Sequence, residues 1–413
     1  MLVVRFFAGV GGSTFSTMVG GIVADMYPSK TRNVPMSLFA GFSLLGIGLG
    51  PMISGFIAQY TSWRWIFYFQ AIVAAVLLLA VIFFFPETRG NVILKRKAFL
   101  LNRWQEKVEN AKLPPSAGRF GSGAEEGEIG VPPEEENDMD GEKPKSKPNS
   151  KLNSKPKYAK SIRWKALNED GSDEVSLKEL LLVSLIRPFH FLVSEPVVFF
   201  FSLWMAFSWA VLYIAISAIP MVFETQYNFS LSQSNAVLAA MCIGSILAVI
   251  LSIFQDFLAE KRPGWNTVPE HRLYFSCIES FLLPIGLFVL GWTAEERIHW
   301  IVPTIFIAIM TMGIFSIYLA VFNYFADTYQ TFASSTIAAQ SFCRNMLGGA
   351  FPLVSRQLFH NLGYGPASTL LGGIATLLTL VPWVLVFFGP TIRGKSKIAG
   401  GSSRQKKEQE SNC

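Results

Sequence analysis

Long uncharged apolar stretches alternate with short polar ones along most of the chain. Windows of membrane-spanning length fall at about 2–24, 36–58, 64–85, 197–223, 231–256, 272–293, 299–322, 333–358 and 366–389. Crossing a hydrocarbon core of about 30 Å takes roughly 20 mostly apolar residues as helix. Backbone polar groups in lipid leave only helices or closed barrels, and these windows are too long and too evenly apolar for barrel strands. The pattern therefore predicts an all-α polytopic membrane protein of helical bundles. Between the third and fourth windows, residues 103–178 differ in kind. An acidic block, "EEGEIGVPPEEENDMDGE", is followed by a basic one, "KPKSKPNSKLNSKPKYAK". Such a composition buries too little apolar surface to offset chain entropy, so a disordered loop is expected there. The expected organisation is a three-span bundle over 1–102, that loop, a six-span bundle over 179–393 and a disordered tail over 394–413.

Composition agrees with lipid as the solvent. Half of the 413 residues are apolar, 15% are charged, and the mean hydropathy is +0.38. The net charge of +6 is carried by alternate connections, at Lys30 and Arg32, at Arg89 to Lys97, at Lys261 to Arg272, and in the tail. Lys and Arg mark the cytoplasmic side. That assigns the central loop and the tail to the cytoplasm and removes any need for a nucleic-acid partner. The cysteines, Cys242, Cys277, Cys343 and Cys413, lack metal-ligand spacing, and no phosphate-binding glycine loop with Lys-Ser/Thr is present. No cofactor, metal or enzymatic activity is expected.

Glycine and proline sit inside the most apolar segments, as in "GIGLGPMISG" at 46–55. In a soluble helix Gly costs about 1 kcal/mol and Pro about 3 relative to Ala. Small residues let membrane helices approach closely. Gly46 and Gly50, with Gly55 near the same face, are expected at such a contact, with Pro51 bending the span. "GLGPMIS" (48–54) matches "GAFPLVS" (349–355) in its Gly, Pro and Ser spacing, each in the penultimate span of its half. Transporters are commonly built from repeats with Gly- and Pro-interrupted segments at corresponding positions. Six spans after the loop then imply six before it, and the chain looks truncated at Met1.

These strings resemble the major facilitator superfamily, and within it the fungal drug:proton antiporters, twelve-span exporters that include multidrug and polyamine transporters. "RFFAG" at 5–9 is similar to the start of that family's fourth span, "GIGLGPMISGFI" to the antiporter motif of the fifth, "SWRWIFYFQ" to the start of the sixth and "PETRGNVILKRKA" to the sequence after it. "LPIGLFVLGWTA", "SFCRNMLGGAFPL" and "FFGPTIRGKSK" are similar to the ninth to twelfth spans. Two departures stand out: the gate motif between spans two and three is absent, and Ser54 replaces the usual Gly of the antiporter motif. The resemblance implies proton-coupled export of cationic or lipophilic small molecules by alternating access. Substrate, protons and lipid bilayer are then the partners, at the plasma membrane, with oligomeric state unspecified. It also implies a gating and leak-limiting role for Gly46, Gly50, Pro51 and Gly55. A rival reading is a truncated, non-transporting membrane protein that is degraded or serves as partner or sensor.

Polar groups at membrane depth are expensive and mark function. Glu279, Arg344 and Arg5 are the candidates for proton coupling. Gln340 shares a helix face with Arg344, and Asn345 lies on the adjoining one. Trp209, Tyr213 and Ser217 recur every four residues on one side of the fourth window, and Trp204, Phe207, Asn323 and Tyr324 extend the set. An aromatic wall suits lipophilic cations through cation–π attraction.

Overall fold

A computed structural model describes residues 2–27, 31–84, 90–110, 177–261, 273–329 and 332–395. All regular structure among them is helical. The first bundle holds α1 (Leu2–Met26), α2 (Asn33–Tyr60) and α3 (Arg64–Phe84). They are followed by α4 (Gly90–Asn110) and, before the second bundle, α5 (Leu177–Ser194). The chain then forms α6 (Pro196–Tyr227), α7 (Leu231–Ala236), α8 (Ala239–Glu260), α9 (Leu273–Glu279), α10 (Leu282–Thr293), α11 (Ile301–Tyr329), α12 (Ala333–Leu362), α13 (Tyr364–Leu378) and α14 (Leu380–Lys395).

Each expected window holds helix, and most helices run longer than the apolar window that marks them. Seven helices or helix pairs among the described residues are long and apolar enough to cross a membrane. The windows at 2–24 and 333–358 are occupied by α1 and α12, which fall outside that set. In α12 the reason is visible, since Gln340, Arg344, Asn345, Arg356 and His360 all lower its apolarity. The margins of the central loop need correction: α4 continues to residue 110 and α5 starts at 177, while residues 111–176 lie outside the described set. Beyond Lys395, so does the tail.

Residues 87–174 form a unit of their own by contact. Its described part, α4, is amphipathic, with Leu94, Leu101 and Trp104 exposed among Lys95, Arg96, Lys97, Arg103 and Lys107. The other unit, residues 1–86 and 175–413, contains the core.

Two spans are broken by proline. Pro284 and Pro382 have no N–H to donate four residues back, and the chain steps out of helix at Ser280–Phe281 and at Thr379. At the first break the Leu283 N–H donates to the Ser280 carbonyl at 3.4 Å, and hydroxyls add local bonds at both: Ser280 Oγ donates to the Cys277 carbonyl at 3.0 Å and Thr379 Oγ1 to the Thr376 carbonyl at 2.6 Å. Pro51, Pro220 and Pro352 are absorbed inside α2, α6 and α12. The turn before α7 carries a full capping box between Ser230 and Gln233, which satisfies two of the helix's free N–H groups. Gly363, at φ +83°, ends α12 with its N–H on the Phe359 carbonyl, a backbone conformation that favours glycine.

The second bundle is organised around α6 and α11, whose side chains are buried on most sides. Glycines set the closest helix contacts. A methyl group on Gly313 would lie 2.5 Å from the Leu283 nitrogen, and one on Gly286 2.9 Å from Met310 Cα, so α10 and α11 touch backbone to backbone. α3 is the opposite case, apolar on every side with no residue buried, as expected of a helix whose whole circumference meets an apolar surrounding.

Candidate functional site

The first bundle joins the second mainly through α2 against α8, and this contact corrects the glycine expectation. Gly41, Gly48 and Gly55, spaced by seven, face Val249, Cys242 and Asn235, also spaced by seven and running the other way. A methyl on Gly55 would lie 2.5 Å from Asn235 Cβ; one on Gly48 would lie 2.9 Å from Cys242 Sγ and 3.3 Å from Met241 Cβ. Cys242 also donates its thiol to the Leu45 carbonyl at 3.6 Å. The period is that of a coiled-coil seam. Around Gly46 and Gly50, by contrast, no described atom lies within 4 Å of an added methyl. They lie on a different face of α2 from Gly55, because four- and five-residue steps advance around the helix while the seven-residue step returns.

The helix is also fastened near both ends. At one, Arg32 Nη1 lies 2.9 Å from Asp327 Oδ1 of α11 in a largely buried ion pair, with Arg32 Nε on the Tyr27 carbonyl at 3.2 Å. Asn323 of α11 donates to Asn33 beside it. At the other end the Ser232 N–H donates to Gln59.

Between these ends lies a cavity of about 600 Å³ lined by Trp209 and Tyr213 of α6, Tyr318 of α11 and Arg344, Asn345 and Gly348 of α12. Gly348 sets its wall: a methyl there would meet the Tyr213 and Trp209 rings at 3.1 and 3.2 Å. Ser43 and Ile47 of α2 and Gly9 of α1 complete the lining from the first bundle. Trp209 stacks on Tyr318 at 5.3 Å between centroids, and Tyr318 stacks on Phe322 at 4.5 Å. The guanidinium of Arg344 lies 4.7 Å from the Trp209 ring centroid and 5.7 Å from that of Tyr318. Its Nε reaches Asn345 Oδ1 at 3.4 Å. Arg344 is only 1% exposed, and a buried cation of this kind costs several kcal/mol, offset in part by about 0.5–2 kcal/mol for each such ring.

A second, smaller cavity of about 50 Å³ opens among α2, α8, α9 and α11. Glu279 accepts a hydrogen bond there from Gln255, and Asp256, Asn33 and Asn323 share the lining.

The expected site residues are thus divided. Trp209, Tyr213, Arg344 and Asn345 meet in the large cavity, while Glu279, Asn323 and Tyr324 meet in the small one. Asn323 and Tyr324 therefore do not extend the aromatic wall; Tyr324 packs edge-on to Phe201 at 5.0 Å. Ser217 is exposed and donates to the Tyr213 carbonyl at 3.2 Å, outside both linings. Gln340 is wholly buried beside Ser341 and lines neither. Trp204 is 1% exposed and stacked with Phe201 in the core, where Phe207 is also buried. Arg5 lies in α1, and its side chain is outside the described residues. Sequence reasoning missed Tyr318, Ser43, Gln255 and the Arg32–Asp327 pair. Only the seven-residue glycine spacing was open to view in advance.

The profile of the Major Facilitator Superfamily matches residues 1–352. The chain is 30% identical over 406 residues to the multidrug transporter FLU1 of Candida albicans and over 405 residues to the multidrug transporter mdrA of Aspergillus fumigatus. It is 29% identical over 402 residues to the efflux pump FUB11 of Gibberella fujikuroi. Each alignment takes in 97% of this chain but only 57–60% of the relative. No solved structure matches.

Proposed function

This chain belongs to the Major Facilitator Superfamily, and from that membership and the large cavity we propose that it exports lipophilic small molecules by secondary active transport. Its apolar helices and its relatives make it an integral membrane protein. Relatives of similar sequence carry the names multidrug transporter and efflux pump. The observation that carries the reading here is the 600 Å³ cavity walled by stacked Trp209 and Tyr318. Cavities of this size with aromatic walls and few polar groups hold drug-sized ligands.

Arg344 narrows the substrate class. Its guanidinium already occupies the face of Trp209 and adds a positive charge to the lining. A cation entering the cavity competes with it for the same rings, whereas a neutral or anionic lipophile gains from both. The lipophilic alternative therefore fits this cavity better than the polyamine one.

Protons are the proposed driving ion, with Glu279 as the exchanging carboxylate and Arg344 or Arg5 as its charged counterparts in coupling. The α2–α8 seam is the proposed moving joint, and Gly46, Gly50 and Pro51, of which the two glycines lie off the seam face, are the proposed gating positions of the same helix. The plasma membrane is the proposed location. The ends bearing Lys30, Arg32 and Arg393, with the central loop, face the cytoplasm by the basic-residue rule.

The test is efflux of a neutral fluorescent lipophile from pump-deficient yeast expressing the full chain, with and without a protonophore. Protonophore-sensitive efflux that is lost in Glu279→Gln supports the proposal. Equal efflux from expressing and control cells refutes it, and full activity of Glu279→Gln refutes the carboxylate assignment. Proteolysis of the central loop from outside intact cells would overturn the orientation.

A further inference from the structure

Helix α4 carries chemistry that neither cavity uses. Ile93, Leu100, Leu101 and Trp104, at i, i+7, i+8 and i+11, form one stripe along it at 3.6 residues per turn, and the last three are 54%, 42% and 49% exposed. Arg96, Arg103 and Lys107, at i, i+7 and i+11, form the neighbouring stripe, with Leu100 on one side of it and Val92 and Phe99 on the other. All three basic side chains are exposed. Lys97 lies within the apolar stripe itself, where its stem covers apolar surface while the ammonium reaches out. Glu106, Asn102 and Lys95 take the far side. A helix built for water puts its charges opposite its apolar face. Here four of the five basic residues share the apolar side, and Glu106 is turned away.

We propose that α4 is a mooring helix that lies on a bilayer surface containing anionic phospholipid. Three features select that occupant. The apolar stripe needs an apolar medium, and a basic amphipathic helix with Trp and Leu on its apolar face is the form that enters the boundary between headgroups and acyl chains. The basic stripe borders it, at the level of the lipid phosphates and carboxylates. Chain length supplies the third. Only residues 85–89 separate α4 from the membrane-spanning α3, and a link of that length spans at most about 20 Å, so α4 begins within reach of the bilayer surface.

The chain itself offers one rival occupant, the acidic block "EEGEIGVPPEEENDMDGE" at 125–142. It matches the basic stripe in charge, yet it holds only Ile129, Val131 and Met139 to set against Leu100, Leu101 and Trp104. A bilayer satisfies both stripes at once. The anionic lipids of a cell membrane are concentrated in the cytoplasmic leaflet, the side to which the basic connections assign this segment. The inference stands whether or not the chain exports lipophiles.

The experiment is amide hydrogen exchange of the full chain in nanodiscs of phosphatidylcholine, with and without added phosphatidylserine, read over peptides from residues 90–107. Docking holds the helix, so exchange should be slower with phosphatidylserine, and raised salt should remove the difference by screening. Each basic residue near an anionic surface changes the docked population about fivefold. Arg96→Gln with Arg103→Gln and Lys107→Gln should therefore speed exchange by up to about a hundredfold in the mixed lipid and leave it unchanged in phosphatidylcholine. These side chains are exposed, so the fold should survive the changes. Lys95→Gln, on the far side, should have little effect. Equal exchange in the two lipids, or equal effects of Lys95→Gln and Arg103→Gln, overturns the assignment. So does protection that ignores the lipid and is lost when the acids of 125–142 become amides, which would give the face to the loop.

Discussion

Two glycines two residues apart in α2 offer a controlled measurement of the seam between the bundles. Replacing Gly by Ala in a helix gains about 0.8–1 kcal/mol from backbone propensity wherever the methyl has room. Gly50 has that room: no described atom lies within 4 Å of the added carbon. Gly48 does not, since its methyl would sit 2.9 Å from Cys242 Sγ, 3.3 Å from Met241 Cβ and 3.4 Å from the Leu238 carbonyl oxygen. Overpacking a close contact costs about 1–3 kcal/mol. Because the propensity gain is common to both, the difference between Gly48→Ala and Gly50→Ala isolates the packing cost, about 1–3 kcal/mol. The nearest clash is with a sulfur, so Cys242→Ala should relieve part of it at the loss of a weak S–H bond to Leu45. A double-mutant cycle between positions 48 and 242 should then show a favourable coupling of about 0.5–2 kcal/mol. Thermal or denaturant unfolding of the purified variants in one detergent supplies all the terms. Equal midpoints for Gly48→Ala and Gly50→Ala, or strictly additive effects of Gly48→Ala and Cys242→Ala, would refute the seam as the principal contact of α2.

Other expectations follow from the same geometry. Reversing the largely buried Arg32–Asp327 pair as Arg32→Asp with Asp327→Arg should restore much of what either single change loses, which for an unpartnered buried charge is about 3–5 kcal/mol; a double variant as unstable as the worse single one counts against the pair. Arg344→Lys should fail to replace arginine in efflux, because an ammonium cannot cover two ring faces with a planar group; wild-type efflux in Arg344→Lys would show that only the charge matters. Gly348→Leu should fill the large cavity from the α12 side and abolish efflux of bulky lipophiles before smaller ones, measured as uptake-corrected efflux rates across a size series.

The sequence made the helices legible because lipid imposes a length and an apolarity that no other solvent demands, and all nine windows hold helix in the structure. It was far less informative about which face of each helix meets which neighbour. In α2, five glycines recur through 41–55 with little other polarity, so nothing local distinguishes the set at 41, 48 and 55 from the set at 46 and 50. The difference appears only when α8 supplies Val249 and Cys242, and α7 supplies Asn235, at the same spacing. The polar residues divide in the same way. Arg344 and Glu279 both stood out as charges at membrane depth, yet the sequence could not place them in separate cavities, one walled by aromatic rings and the other by amide and carboxylate oxygens. Tyr318 was hidden for the converse reason. One tyrosine among the 36 phenylalanines and 11 tyrosines of this chain carries no signal, until packing slides it between Trp209 and Phe322 and under Arg344. The packing of this chain therefore rests on pairings between helices distant in sequence, and a change on either partner of a pairing should register on the other.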